Sequence, residues 1–186
     1  MSNLNNDVKS KAISGMAWTG IERLATQTIQ FIIGIIIARI LMPSDYGIVG
    51  MLAIFMAIAQ TFLDSGFASA LIQKKDRTDV DYSTVFYFNI VVSCVLYGVV
   101  YVSAPWIASF YNMPILNDVT RITTLLLIIS GLTIVQQAKL TIDLKFRELA
   151  IASVFSVLLS GVCGIIMAYN GLGVWALVFQ GLLSAL

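Results

Sequence analysis

SGMAWTGIERLATQTIQFIIGIIIARIL, residues 14–41, is the stretch whose reading decides the fold. It is apolar enough to leave water, yet it carries Glu22 and Arg23 well inside the run. At ~1.5 Å per residue, a helix over it crosses a ~30 Å hydrocarbon core with its first turns left for the interface. On that helix Thr19, Arg23, Gln27, Gln30 and Gly34 recur at intervals of three and four and share one face, with Glu22 and Thr26 beside it. A charge at the centre of a bilayer costs at least ~2.5–3.5 kcal/mol. The stripe is therefore expected to look into a bundle interior or a water-filled cavity, where it lines the path of a transported substrate.

Composition agrees with a membrane setting. Of 186 residues 59% are hydrophobic and only 11% charged, and the mean hydropathy is +0.91. A soluble domain runs near ~45–50% apolar and ~25% charged, so this is an integral membrane protein. Eleven Lys and Arg against ten Asp and Glu leave a net charge of +1, which gives no sign of a nucleic-acid partner. The chain has no histidine, which removes Ser–His and Cys–His nucleophile pairs and imidazole metal sites together. Cys94 and Cys163 each sit in the middle of an apolar run and read as small packing residues, not as a disulfide framework or metal site.

Moving outward from the first run, the fold class is all-α: a polytopic bundle of about six transmembrane helices. Residues 1–13, polar with Lys9 and Lys11, read as a retained cytoplasmic tail rather than a secretory signal. Residues 14–186 read as the bundle, with spans at about 14–41, 48–63, 84–104, 120–140, 150–169 and 174–186. Pro43, Ser44, Asp45 and Gly47 form a tight turn, with Ser44 or Asp45 available to cap the second helix. Asp64, Ser65 and Gly66 stop that helix, residues 66–73 suit a short interfacial helix, and the charged segment from Lys74 to Asp81 is a solvated loop. Pro105 to Tyr111 reads as a separate amphipathic helix lying in the membrane surface. The fifth run is rich in small residues (Ala152, Ser153, Ser156, Ser160, Gly161, Gly164), which let helices approach closely. Asn170 to Gly173 is a tight turn. Thirteen residues of a sixth run are present, fewer than the ~20 a span needs, so the chain reads as a piece of a larger protein, cut inside a helix.

Orientation follows from the basic residues. With the N-terminus cytoplasmic, Lys9, Lys11, Lys74, Lys75, Arg77, Lys139, Lys145 and Arg147 fall inside, and Arg39 and Arg121 outside. That is the positive-inside distribution.

Among the candidate residues Arg23 is the sharpest: a permanently charged guanidinium suited to bidentate contact with phosphate. Its other reading is an ion pair with a nearby acid, or snorkelling to the headgroups on its long stem. Glu22 is a candidate proton- or ion-coupling group. Neighbouring helical positions point ~100° apart, so it is not expected to pair with Arg23. Thr26, Gln27 and Gln30 suit hydrogen bonds to sugar hydroxyls in a wet cavity, or equally to neighbouring helices. Asn89, Gln60 and Gln136 read as interhelical polar contacts. No phosphate loop, carboxylate pair or metal-ligand spacing points to an enzyme or a cofactor.

Six blocks carry a resemblance: Ser14 to Leu24, Ala38 to Met51, Phe62 to Asn89, Ala104 to Pro114, Leu144 to Val154 and Gly171 to Gln180. In order and spacing the chain resembles the N-terminal part of the polysaccharide exporters of the MOP (MATE-like) superfamily. These are flippases for lipid-linked oligosaccharides of O-antigen, capsule, colanic acid and teichuronic acid pathways. The resemblance implies two six-helix lobes around a central cavity in the bacterial inner membrane. It implies alternating-access export of undecaprenyl-pyrophosphate-linked repeat units, with membrane lipid and other polysaccharide-assembly proteins as partners. It also places Arg23 where such proteins hold pyrophosphate or acidic sugars. A multidrug or organic-cation antiporter of the same fold would call for an acidic cavity. A membrane glycosyltransferase or polymerase would need a large outer loop bearing catalytic acids.

Overall fold

The computed structural model describes residues 2–63 and 78–185, and among them it contains seven helices and no strand. They are α1 (Ser2–Ile40), α2 (Pro43–Leu63), α3 (Asp79–Phe110), α4 (Ile115–Thr123), α5 (Leu125–Ile142), α6 (Phe146–Tyr169) and α7 (Val174–Ser184). By length and hydropathy α1 from Trp18, α2, α3, α4 with α5 taken together, and α6 can each cross a membrane, and α7 is a shorter apolar helix. The all-α polytopic bundle expected from the sequence is what forms.

Several boundaries differ from the sequence reading, each for a local reason. Residues 2–13 continue α1 as helix. The turn before α2 is only Leu41 and Met42, because Pro43 opens the helix. Proline suits that first position, where its missing N–H would be unpaired in any case. Asp45 then reaches back, its carboxylate accepting from the Met42 N–H at 3.1 Å. Helix α3 starts at Asp79, ahead of the expected Thr84, on a reciprocal cap. There the Thr78 N–H donates to the Asp81 carboxylate (2.9 Å) while the Thr78 hydroxyl accepts from the Asp81 N–H (3.4 Å).

The separate surface helix expected over Pro105 to Tyr111 does not form. Helix α3 runs through Pro105 to Phe110. The amphipathic pattern there is real, but its inner side, with Ala104, Ile107 and Ala108 buried, is held in the bundle core. Trp106 and Phe110 point outward. The fourth span begins at Ile115 and is interrupted at Thr124. The Thr120 and Thr124 hydroxyls donate to the carbonyls of Leu116 and Thr120, and such back-bonding competes with the helical ladder. The stop at Asp64 to Gly66, the interfacial helix over 66–73 and the loop residues Lys74, Lys75 and Arg77 lie outside the described residues.

Helix α1 packs chiefly along α6, α6 along α7, and α3 along α4 and α5, while α2 lies against α7, α3 and α5. One core cluster joins Ile48, Leu52, Ile107, Leu116, Val119, Val174 and Val178. A second joins Ile33, Ile37, Leu41, Ala168 and Ala176. The small residues of α6 do the work expected of them. A Cβ at Gly161 would collide with Ile33, one at Gly164 would stand 3.1 Å from Gln180, and the Ser156 hydroxyl donates to the Leu183 carbonyl at 3.1 Å. Gly171 and Gly173 take φ of +75° and +55° in the α6–α7 turn, a backbone that other residues rarely adopt.

Candidate functional site

Helices α1 and α6 run parallel. Gly15 lies against Phe146, the Arg147 guanidinium stands 5.9 Å over the Trp18 ring, and Ile33 lies against Gly161. The α1 side chains on this seam are Gly15, Trp18, Glu22, Ile29, Ile33 and Ile37, again at helical spacing. The polar stripe is rotated away from it. Arg23, Gln27 and Gln30 are exposed, and Thr26 is half-buried beside them. The stripe therefore faces out of this bundle, not into its interior. No other helix of the described chain covers it.

Glu22 departs from the stripe. It is half-buried and borders a groove of about 290 Å³ between α1 and α6, walled by Trp18, Ala25, Ala150, Val154 and Leu158. Glu22 is the one ionisable residue on its border, and the wall itself is apolar throughout. No ion pair joins it to Arg23, and among the described residues no carboxylate pairs with Arg23. The Thr26 hydroxyl donates to the Glu22 and Arg23 carbonyls at 2.8 and 3.2 Å, so its proton is committed to its own helix and it offers a ligand only lone pairs. The free donors and acceptors on the exposed face are the guanidinium of Arg23 and the amides of Gln27 and Gln30, a set suited to phosphate and sugar hydroxyls.

Sequence reasoning passed over a second polar region. Gln136, read as an interhelical contact, is exposed on the ridge between two clefts. One, of about 240 Å³ between α5, α6 and α7, is bordered by Thr133, Gln137, Ser153 and Ser156. The other, of about 300 Å³ between α3 and α5, is bordered by Tyr82, Ser83, Phe86 and Lys139. Because Trp18 is level with Arg147, these groups lie in the same half of the bundle as Arg23. The scattered glutamine and serines in separate runs gave no linear pattern that would have joined them. Asn89 does not make the interhelical polar contact expected of it: it is buried at 1% exposure with its backbone carbonyl against Gly131 of α5, and its side-chain Nδ2 has no hydrogen-bond partner among the described residues.

Five helices long and apolar enough to span, a core made by small-residue seams and a polar helix face turned outward define, among the described residues, a polytopic α-helical membrane protein. The chain belongs to the polysaccharide biosynthesis protein family, whose model matches residues 36–186. It is similar to the teichuronic acid biosynthesis protein TuaB of Bacillus subtilis, 32% identical over 153 residues, which is 82% of this chain and 32% of that protein. It is similar to the succinoglycan biosynthesis transport protein ExoT of Rhizobium meliloti, 26% identical over 96% of this chain and 36% of that protein. It is also similar to the lipopolysaccharide biosynthesis protein WzxC of Escherichia coli, 22% identical over 96% of this chain and 36% of that protein. The last two matches take in the α1 stripe that precedes residue 36. The chain thus spans about a third of the length of these relatives. No solved structure matches it.

Proposed function

We propose that this chain forms a helical lobe of a transporter that carries lipid-linked polysaccharide repeat units across the bacterial cytoplasmic membrane by alternating access. The observation that carries the reading is the outward polar face of α1, with Arg23, Gln27 and Gln30 exposed on a helix long enough to span. Facing lipid, that stripe would meet the penalty for charge in hydrocarbon, so it needs a watery cavity against a second lobe. Membership of a polysaccharide biosynthesis family, and relatives described as transport and biosynthesis proteins, supply the substrate class.

In this reading the N-terminus is cytoplasmic. Lys139, Lys145 and Arg147 then gather at the cytoplasmic end with the start of α1, while Arg39 and Arg121 belong to the other end. Arg23 stands in the cytoplasmic half, where the pyrophosphate of an undecaprenyl-linked substrate enters. Its planar fork grips phosphate oxygens, and the two glutamine amides meet the sugar hydroxyls. Glu22, half-buried on the border of the apolar groove, is the group we assign to proton or ion coupling.

The test is complementation of a strain lacking the exporter by the full-length protein. Arg23→Ala at matched protein levels is expected to lower surface polysaccharide at least tenfold, about what loss of one charge-assisted phosphate contact implies. Normal export by that variant would remove Arg23 from the substrate path. A deletion strain that accumulates no lipid-linked repeat unit on the cytoplasmic leaflet would overturn the transport reading itself.

A further inference from the structure

The end of the bundle opposite Arg23 holds a cation that the reading above does not use. Arg121 of α4 lies over the Tyr101 ring of α3, its guanidinium carbon 4.5 Å from the ring centroid. Tyr97 continues the stack one turn away, its ring centroid 5.6 Å from that of Tyr101. The Arg121 Nε and the Asn117 Oδ1, one helical turn apart, are buried and have no hydrogen-bond partner. Among the described residues no carboxylate pairs with Arg121, although Asp118 is only three positions away. Stacking on the ring fixes the guanidinium plane and leaves its in-plane N–H groups unused, which is the arrangement that binds phosphate oxygens.

Depth narrows the ligand. Tyr101 lies 21 residues beyond Val80, and Arg121 lies 21 residues before Ile142, the two residues that bound their spans at the other end of the bundle. At ~1.5 Å per residue both stand ~30 Å from that end, about the thickness of a hydrocarbon core. Trp106 and Phe110, 71% and 78% exposed, come just beyond Tyr101, as an interfacial aromatic belt does. A basic residue on this side also runs against the charge distribution that sets topology, so its charge has another use.

We propose that Arg121, on its Tyr101 platform, holds the phosphate of a lipid in the leaflet opposite Arg23 through the outer N–H groups of its guanidinium. The ligand is a lipid phosphate ester, supplied either by an anionic phospholipid or by the polyprenyl pyrophosphate of the transported unit. The site is independent of Arg23 and stands whichever way the substrate moves.

The test is native mass spectrometry of the full-length protein, delipidated in mild detergent and titrated with phosphatidylglycerol, undecaprenyl pyrophosphate and phosphate-free diacylglycerol. Arg121→Ala is expected to weaken binding of a phosphate lipid about tenfold and leave diacylglycerol unchanged. Arg121→Lys keeps the charge without the flat fork and is expected to lose about threefold. Loss confined to phosphatidylglycerol makes this a structural-lipid site. Loss confined to the polyprenyl lipid makes it part of the substrate's path, and loss of both makes it a general phosphate site. Wild-type binding of both phosphate lipids by both variants overturns the proposal, as does an equal loss for diacylglycerol. If the alanine variant does not accumulate, the lysine variant decides by itself.

Discussion

Substituting Gly161 by alanine tests how α1 is held to α6. A Cβ at Gly161 would overlap Cδ1 of Ile33 and stand 2.8 Å from its Cγ1 and 3.4 Å from its Cγ2. Moving the terminal methyl alone clears only the first of these, and Ile33 is itself buried at 7% exposure and stiff about its branched Cβ. The seam has to open, at an overpacking cost of roughly 1–3 kcal/mol. Gly34→Ala is the matched control, since nothing lies within 4 Å of a Cβ there. Both variants share the helix-propensity gain of up to ~1 kcal/mol, so their difference isolates the clash. In the full-length protein, fluorescence-detected thermal unfolding in detergent should place Gly161→Ala well below Gly34→Ala, by about 2–4 °C for each kcal/mol. Ile33→Val removes the overlapping methyl and should recover part of the loss, a coupling of at least ~0.5 kcal/mol. Equal midpoints for the two alanine variants, or no recovery with Ile33→Val, would refute this account of the seam.

Two further outcomes follow from single hydrogen bonds. Thr78→Ala removes the hydroxyl half of the α3 cap and should destabilise the protein by about 0.5–2 kcal/mol, with faster amide exchange confined to the first turn of α3. Protection unchanged over residues 79–82 would contradict the cap. Ser156→Ala breaks the bond to the Leu183 carbonyl and should lower stability by about 0.5–1.5 kcal/mol, whereas Ser156→Gly, equally without the hydroxyl, should not recover it. A thermal midpoint matching wild type would show that the α6–α7 contact does not depend on that bond.

The periodic features were legible in the sequence. Apolar runs gave the helices, small residues at short intervals gave the α6 seams, and Gly171 with Gly173 gave a turn that the backbone realises at positive φ. What was misread concerned proline. Pro43, expected within the turn, is the first residue of α2, and Pro105, expected to open a separate helix, is spanned by α3. A proline removes one donor, and whether the helix absorbs that loss depends on packing around it, here the burial of Ala104, Ile107 and Ala108, which no local pattern reports. The α1 stripe was legible as a face, but its direction was not, because that depends on which partner α1 chooses. The Arg121–Tyr101 stack and the clefts beside Gln136 join residues distant in the chain and had no linear signature.

The two-residue link between α1 and α2 has a consequence for synthesis. A turn so short would suit two helices that zip together on insertion, yet α1 takes its main partner from α6. Until α2 to α5 have emerged and α6 has entered the membrane, α1 waits with Ile29, Ile33 and Ile37 of its seam unpacked. The α1 seam is therefore a late step in assembly, and non-local contacts of this kind are slow to form. A weakened seam prolongs the time that α1 stands without its partner helix, so its first expected symptom is a lower yield of folded protein.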